Sequence, residues 1–138
     1  MKTLIHHARI LNPADQEDRI ADVLLDGPVI AAIEPSISSP GAEIVEAEGL
    51  WLMPGLIDIH VHLREPGFEG RETIATGTKA AAAGGITSVV CMGDTNPPVD
   101  DKTGVEFILE RAAQTGWIRV YPCGTLTKNM EGKEIAPI

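Results

Sequence analysis

The stretch Asp58-Ile59-His60-Val61-His62-Leu63-Arg64-Glu65-Pro66-Gly67 holds the residue types best suited to chemistry in this chain. Its two histidines stand two residues apart within an alternation of polar and apolar types. On a β-strand, alternate side chains share a face. Asp58, His60, His62 and Arg64 are then expected on one face, and Ile59, Val61 and Leu63 on the other. Two neighbouring imidazoles can chelate one metal ion, and imidazole suits zinc and related divalent ions. A guanidinium just beyond them can grip an anion through paired, charge-assisted hydrogen bonds. A purely structural strand would explain one such histidine better than this whole set. Burying four polar groups without partners would cost about 1–3 kcal/mol each, and a metal with an anionic ligand would supply partners. The pattern predicts a metal-dependent hydrolytic site with His60 and His62 as ligands.

Such residues need a strand end to stand on. Residues 3–5, 8–11, 20–25, 29–33, 43–47 and 50–54 read as short strands divided by turn signals such as Asn12-Pro13 and Asp26-Gly27. They predict a small antiparallel, β-sandwich-like unit over residues 1–54. After Pro54-Gly55 the pattern changes. Residues 56–62 read as a strand, 71–83 as an alanine-rich helix closed by Gly84-Gly85, and 86–92 as a buried β-branched strand. Residues 101–115 read as a second helix before Gly116, and 117–122 as a third strand. Strand, helix, strand, helix, strand is the signature of parallel βαβ units. The fold class is therefore α/β, with residues 55–138 as the start of a (β/α)₈ TIM-type barrel. A complete barrel takes roughly 250 residues, so the chain is expected to be the N-terminal portion of something larger; a small three-stranded domain is the alternative. Barrel enzymes place their chemistry at the C-terminal ends of strands, which is where His60 and His62 fall.

Composition narrows the partners. The chain is 43% hydrophobic and 22% charged, with a net charge of −9, which argues against a nucleic acid or an anionic membrane. No apolar run approaches the roughly 20 residues of a membrane-spanning helix, and the N-terminus lacks a secretory pattern. Cys91 and Cys123 form no disulfide framework and are expected as buried, reduced thiols, so a cytoplasmic location is expected.

Asp58 to Gly67, with Gly55 upstream and Glu72-Thr73-Ile74 through Gly77-Thr78-Lys79-Ala80 to Gly84-Gly85-Ile86-Thr87 downstream, resembles a class I dihydroorotase. That family belongs to the metal-dependent amidohydrolases. The His-x-His element alone specifies only the superfamily; the Leu-Arg-Glu-Pro-Gly extension narrows it further. The resemblance implies reversible hydrolysis of (S)-dihydroorotate to N-carbamoyl-L-aspartate in pyrimidine (UMP) biosynthesis. It implies Zn²⁺, one or two ions per complete site, which would activate water against the ring amide. Both substrates carry a carboxylate, which gives Arg64 a role as clamp; its alternative is a surface salt bridge with Glu65 or Glu69. Further implied partners are a second copy of the chain in a homodimer, or aspartate transcarbamoylase. An allantoinase- or hydantoinase-like enzyme and an inactive scaffold for aspartate transcarbamoylase are the rival readings.

One segment departs from the family. Its second strand ends in Met-Pro-Asn-Thr, whose asparagine helps hold the substrate carboxylate. Here the residues are Met92-Gly93-Asp94-Thr95-Asn96. Asp94 would repel a carboxylate unless protonated or paired, and Asn96 is the candidate to take over. By resemblance, a bridging ligand (a carboxylated lysine or an aspartate), two further histidines and the catalytic aspartate come from later strands, beyond Ile138. None of Lys79, Lys102, Lys128 and Lys133 falls on a fourth strand, so none is assigned the bridge. Residues 1–138 alone are expected neither to hold zinc tightly nor to turn over substrate. Asp58 is expected to support the metal site from behind its ligands. Trp51 and Trp117 read as core or interface anchors. Lys128, Glu131 and Lys133 read as a solvated loop. His6 and His7, read as adjoining an edge strand, are expected to be structural, with adventitious metal binding as the alternative.

Overall fold

Residues 1–138 are described by a computed structural model, and they divide into two compact units, Met1–Pro54 and Gly55–Ile138. In the first, alternating apolar residues build one mixed sheet from β1 (Lys2–Asn12), β2 (Glu17–Asp26), β3 (Val29–Glu34), β4 (Glu43–Glu46) and β5 (Trp51–Leu52). The order is β3-β2-β1-β4, with β5 also on β1. Ile10, Ala21 and Val23 are its buried centre, flanked by Ile5, Leu25, Ile33 and Leu52.

This unit corrects the sequence reading in two ways. It is not purely antiparallel: β4 and β5 run parallel to β1, while β2 pairs antiparallel with both β1 and β3. The Pro/Ser/Gly-rich residues 35–42 make the crossover that a parallel return requires. The expected strands at 3–5 and 8–11 are one strand, broken by a register slip between Ile5 and Ala8. His6 and His7 therefore lie within β1, between β2 and the edge strand β4, and His6 stands in register with Glu46 of β4.

In the second unit, β6 (Leu56–Val61), β7 (Ile86–Cys91) and β8 (Arg119–Pro122) form a parallel sheet in that order. Two helices make the crossovers, α1 (Ile74–Ala83) and α2 (Lys102–Thr115). Both start later than the apolar pattern suggests, because each begins at a cap. Thr73 accepts the Thr76 N–H and completes a capping box. Asp101 accepts the Gly104 N–H at 2.8 Å. Ile74, Val89, Val99 and Ile108 form the interior with Leu63, Cys91 and Val120.

Some expected core residues lie outside it. Trp51 and Trp117 are 65% and 64% exposed, so neither is a core anchor within its unit. Trp117 instead carries the Lys79 ammonium 5.4 Å from its ring centre. Cys123 is exposed and only Cys91 is buried, because the chain leaves the sheet at Pro122. Lys128 and Lys133 form ion pairs with Glu134 and Glu131 beside a short 3₁₀ turn, Lys128–Met130. No helix is long and apolar enough to cross a membrane.

Candidate functional site

The three parallel strands end on one side of their sheet, and the polar residues of β6 collect there. β6 stops at Val61, one residue short of the expected limit, so His60 lies on the strand and His62 just past it. Backbone bonds from Met92 N–H to the Val61 carbonyl (2.9 Å) and from Cys123 N–H to the Cys91 carbonyl (2.8 Å) hold the strand ends together. The His60 and His62 ring centres lie 5.3 Å apart, with 63° between their planes. Asp58 accepts the His60 backbone N–H at 3.1 Å, so its contact is with the strand and not with the ring. A cleft of about 520 Å³ opens beside His62 and Asp94, lined also by Met92, Cys123 and Thr125.

Asp94, from the loop after β7, joins the site from the opposite side. Its Oδ1 lies 2.8 Å from His62 Nδ1, and its Oδ2 accepts from Arg64 Nη1 at 2.9 Å. Burial pushes the Asp94 carboxyl up. The His62 hydrogen bond and the His62 and Arg64 charges outweigh that and hold it below the ordinary carboxylate range. Asp94 is thus an ionised, paired carboxylate.

Arg64 reaches this position by a route the alternation did not foresee. Its φ is +62°, so a left-handed turn aims the side chain rather than extended strand geometry. Neither surface partner considered for it is engaged with it. Glu69 accepts the Gly67 N–H at 2.7 Å, which leads the effects holding its carboxyl low. Glu65 is only 4% exposed. It accepts the Ile74 N–H at the start of α1 (2.9 Å) and Arg111 Nε–H from α2 (2.6 Å). This anchor holds the turn that carries Arg64. Carrying the alternation one step past buried Leu63 was the available sign that Glu65 points inward.

Asn96 is exposed and lies outside the His62–Asp94–Arg64 chain. Its backbone N–H donates to the Pro66 carbonyl at 3.0 Å. Gly67 (φ +91°) packs so closely against Asn96 that a Cβ there would collide with the Asn96 carbonyl.

The donor set suits a divalent transition ion. A carboxylate on His62 Nδ1 favours the proton there and leaves Nε2 as the electron-pair donor, the arrangement common to metal-ligating histidines. His60 adds a second imidazole. A catalytic zinc site generally takes three protein ligands, and these strand ends offer two.

Known proteins similar to this chain show its family and fold. A dihydroorotase from Syntrophotalea carbinolica is 48% identical over 138 residues, all of this chain and 32% of that protein. One from Solibacter usitatus is 46% identical over the same span, again 32% of its length. The chain thus spans about a third of the curated relatives it matches. Among solved structures, an L-hydantoinase from Arthrobacter aurescens superposes with a TM-score of 0.82 at 25% identity, covering 91% of this chain and 28% of that one. A dihydropyrimidinase from Brevibacillus agri gives 0.75 at 30% identity, covering 94% and 28%. The parallel strands of Gly55–Ile138 are accordingly the opening βα units of an amidohydrolase barrel. The family model described as dihydro-orotase-like matches residues 49–138, and the chain belongs to that family.

Proposed function

We propose that the protein to which these residues belong is a dihydroorotase, reversibly hydrolysing the cyclic amide of (S)-dihydroorotate to N-carbamoyl-L-aspartate. The observation that carries the reading is Arg64 beside a His-x-His pair at the C-terminal end of a barrel strand, with relatives named dihydroorotase along the whole chain. His60 and His62 would hold a divalent metal, Zn²⁺ by donor type. Such an ion, when bound, polarises a carbonyl oxygen and makes water nucleophilic near neutral pH. Arg64 binds the substrate carboxylate, and Asp94 orients both His62 and Arg64. Asn96 is a further donor for that carboxylate. Residues beyond this set complete the ligands and move the protons, so residues 1–138 alone are inactive.

A second reading has its own support. The L-hydantoinase and dihydropyrimidinase superpose well, and Arg64 is already tied to Asp94. This favours a neutral cyclic amide over an anionic one. A third role, an inactive scaffold beside aspartate transcarbamoylase, gives His60 and His62 no task. A substrate panel on the full-length protein separates them. Dihydroorotate turnover with little on hydantoin or allantoin is expected; preference for the neutral rings would replace the reading, and no turnover with metal supplied would favour the scaffold.

A further inference from the structure

A regular strand sends consecutive side chains to opposite faces, yet His6 and His7 do not separate. The β1–β2 register slips between Ile5 and Ala8, and His7 takes φ +57°. The bulge brings the two imidazoles together, ring centres 3.8 Å apart and planes 31° apart. Residues with a Cβ seldom adopt that backbone, and such outliers gather at functional sites.

Asp22 of β2 lies against this pair and is 0% exposed. Its Oδ1 accepts the His7 N–H and its Oδ2 the Ile37 N–H, each at 2.9 Å. His6 Nε2 stands 3.7 Å from Asp22 Oδ2, while His6 Nδ1 lies 3.1 Å from Glu46 Oε2. Glu46 therefore favours the proton on Nδ1 and leaves Nε2 as donor on the Asp22 side. Ligand atoms from His6, His7 and Asp22 lie within 4.8 Å of one another. Donors around a tetrahedral zinc stand about 3.3 Å apart, given Zn–N bonds of about 2.0–2.1 Å. Rotation of the exposed His7 ring covers the difference. A merely structural bulge would explain Asp22, but glycine or asparagine suits a left-handed position better than histidine.

We propose that His6, His7 and Asp22 form a binding site for a divalent transition ion, oriented by Glu46 and lying wholly within Met1–Pro54. Two imidazoles and a carboxylate select zinc or copper(II) over magnesium or calcium. Such a site departs from the expectation that residues 1–138 hold no zinc tightly, which rests on the two ligands His60 and His62 and does not count this second ligand set.

The test is zinc chloride titrated calorimetrically into the whole chain carrying His60→Gln and His62→Gln. One equivalent is expected to bind. Adding His6→Gln and His7→Asn should weaken binding at least about 10-fold, the scale of losing even an outer-shell partner. Asparagine accepts the left-handed backbone, so the bulge should survive. In the same chain carrying His60→Gln and His62→Gln, with His6 and His7 intact, substoichiometric copper(II) should selectively broaden the amide signals of His7, Asp22 and Ile37. No zinc bound without His60 and His62, unchanged affinity without His6 and His7, or no broadening at those amides would each overturn the proposal.

Discussion

An ionised Asp94 already holding Arg64 competes with any carboxylate that seeks the same guanidinium. Asp94→Asn in the full-length enzyme is therefore expected to lower KM for dihydroorotate. It should also lower kcat, because His62 loses a charged acceptor. Steady-state kinetics decide this, and an unchanged or higher KM would remove the competition argument. Arg64→Met should raise KM for dihydroorotate about 10- to 100-fold, matching a charge-assisted hydrogen bond of about 1.5–3 kcal/mol. Equal losses on neutral hydantoin would mean that Arg64 does not read the carboxylate. His60, His62 and Arg64 could be picked out from sequence because their signal is local: residue type and spacing along one segment. Closure of Asp94 onto His62 could not, since the partners are 32 residues apart and only the loop after β7 joins them.

Glu65 and Arg111 act between elements, linking the end of β6 to both helices. Arg111→Ala leaves a buried carboxylate with one backbone donor. It should cost about 3 kcal/mol in urea unfolding, and adding Glu65→Gln should recover part of that. Additive losses would show that the pair is uncoupled. The β7 strand makes a different prediction. Burial pushes the Cys91 thiol up to about 11, so its thiolate is scarce until the pH nears that value. At pH 8 an alkylating reagent should modify exposed Cys123 and spare buried Cys91 in the native chain, and the native Cys123→Ser variant should take up no label. Equal rates at both cysteines would contradict the buried assignment. The elements were legible wherever apolar periodicity ran unbroken. They were missed where short-range geometry intervened: Thr73 and Asp101 delay their helices, and the His7 bulge fuses two apparent strands into one.

At the scale of the molecule, three parallel strands bring together two imidazoles and a guanidinium, and the proposed function makes these one wall of a site. Residues 1–138 on their own should show no dihydroorotate turnover with zinc supplied, assayed beside the full-length protein. Turnover by this segment would overturn the division of labour between strands. The α/β order was readable because each crossover helix falls between two β-branched runs. The mixed pairing of the first sheet was not, because strand direction is set by a connection, residues 35–42, whose path leaves no periodic trace.

Arg64 and Glu65 are adjacent, opposite in charge, and turned opposite ways by the left-handed backbone at Arg64. A non-glycine residue there carries strain of about 1–2 kcal/mol, and the Glu65 anchor opposes its release. A lesion at Arg111, on a helix that contributes nothing to the cleft, would then surface as impaired substrate recognition. Genetic screens would score such an allele as a specificity mutant. Its signature would be thermal: KM should climb with temperature well below the melting transition, as the turn relaxes before the fold does.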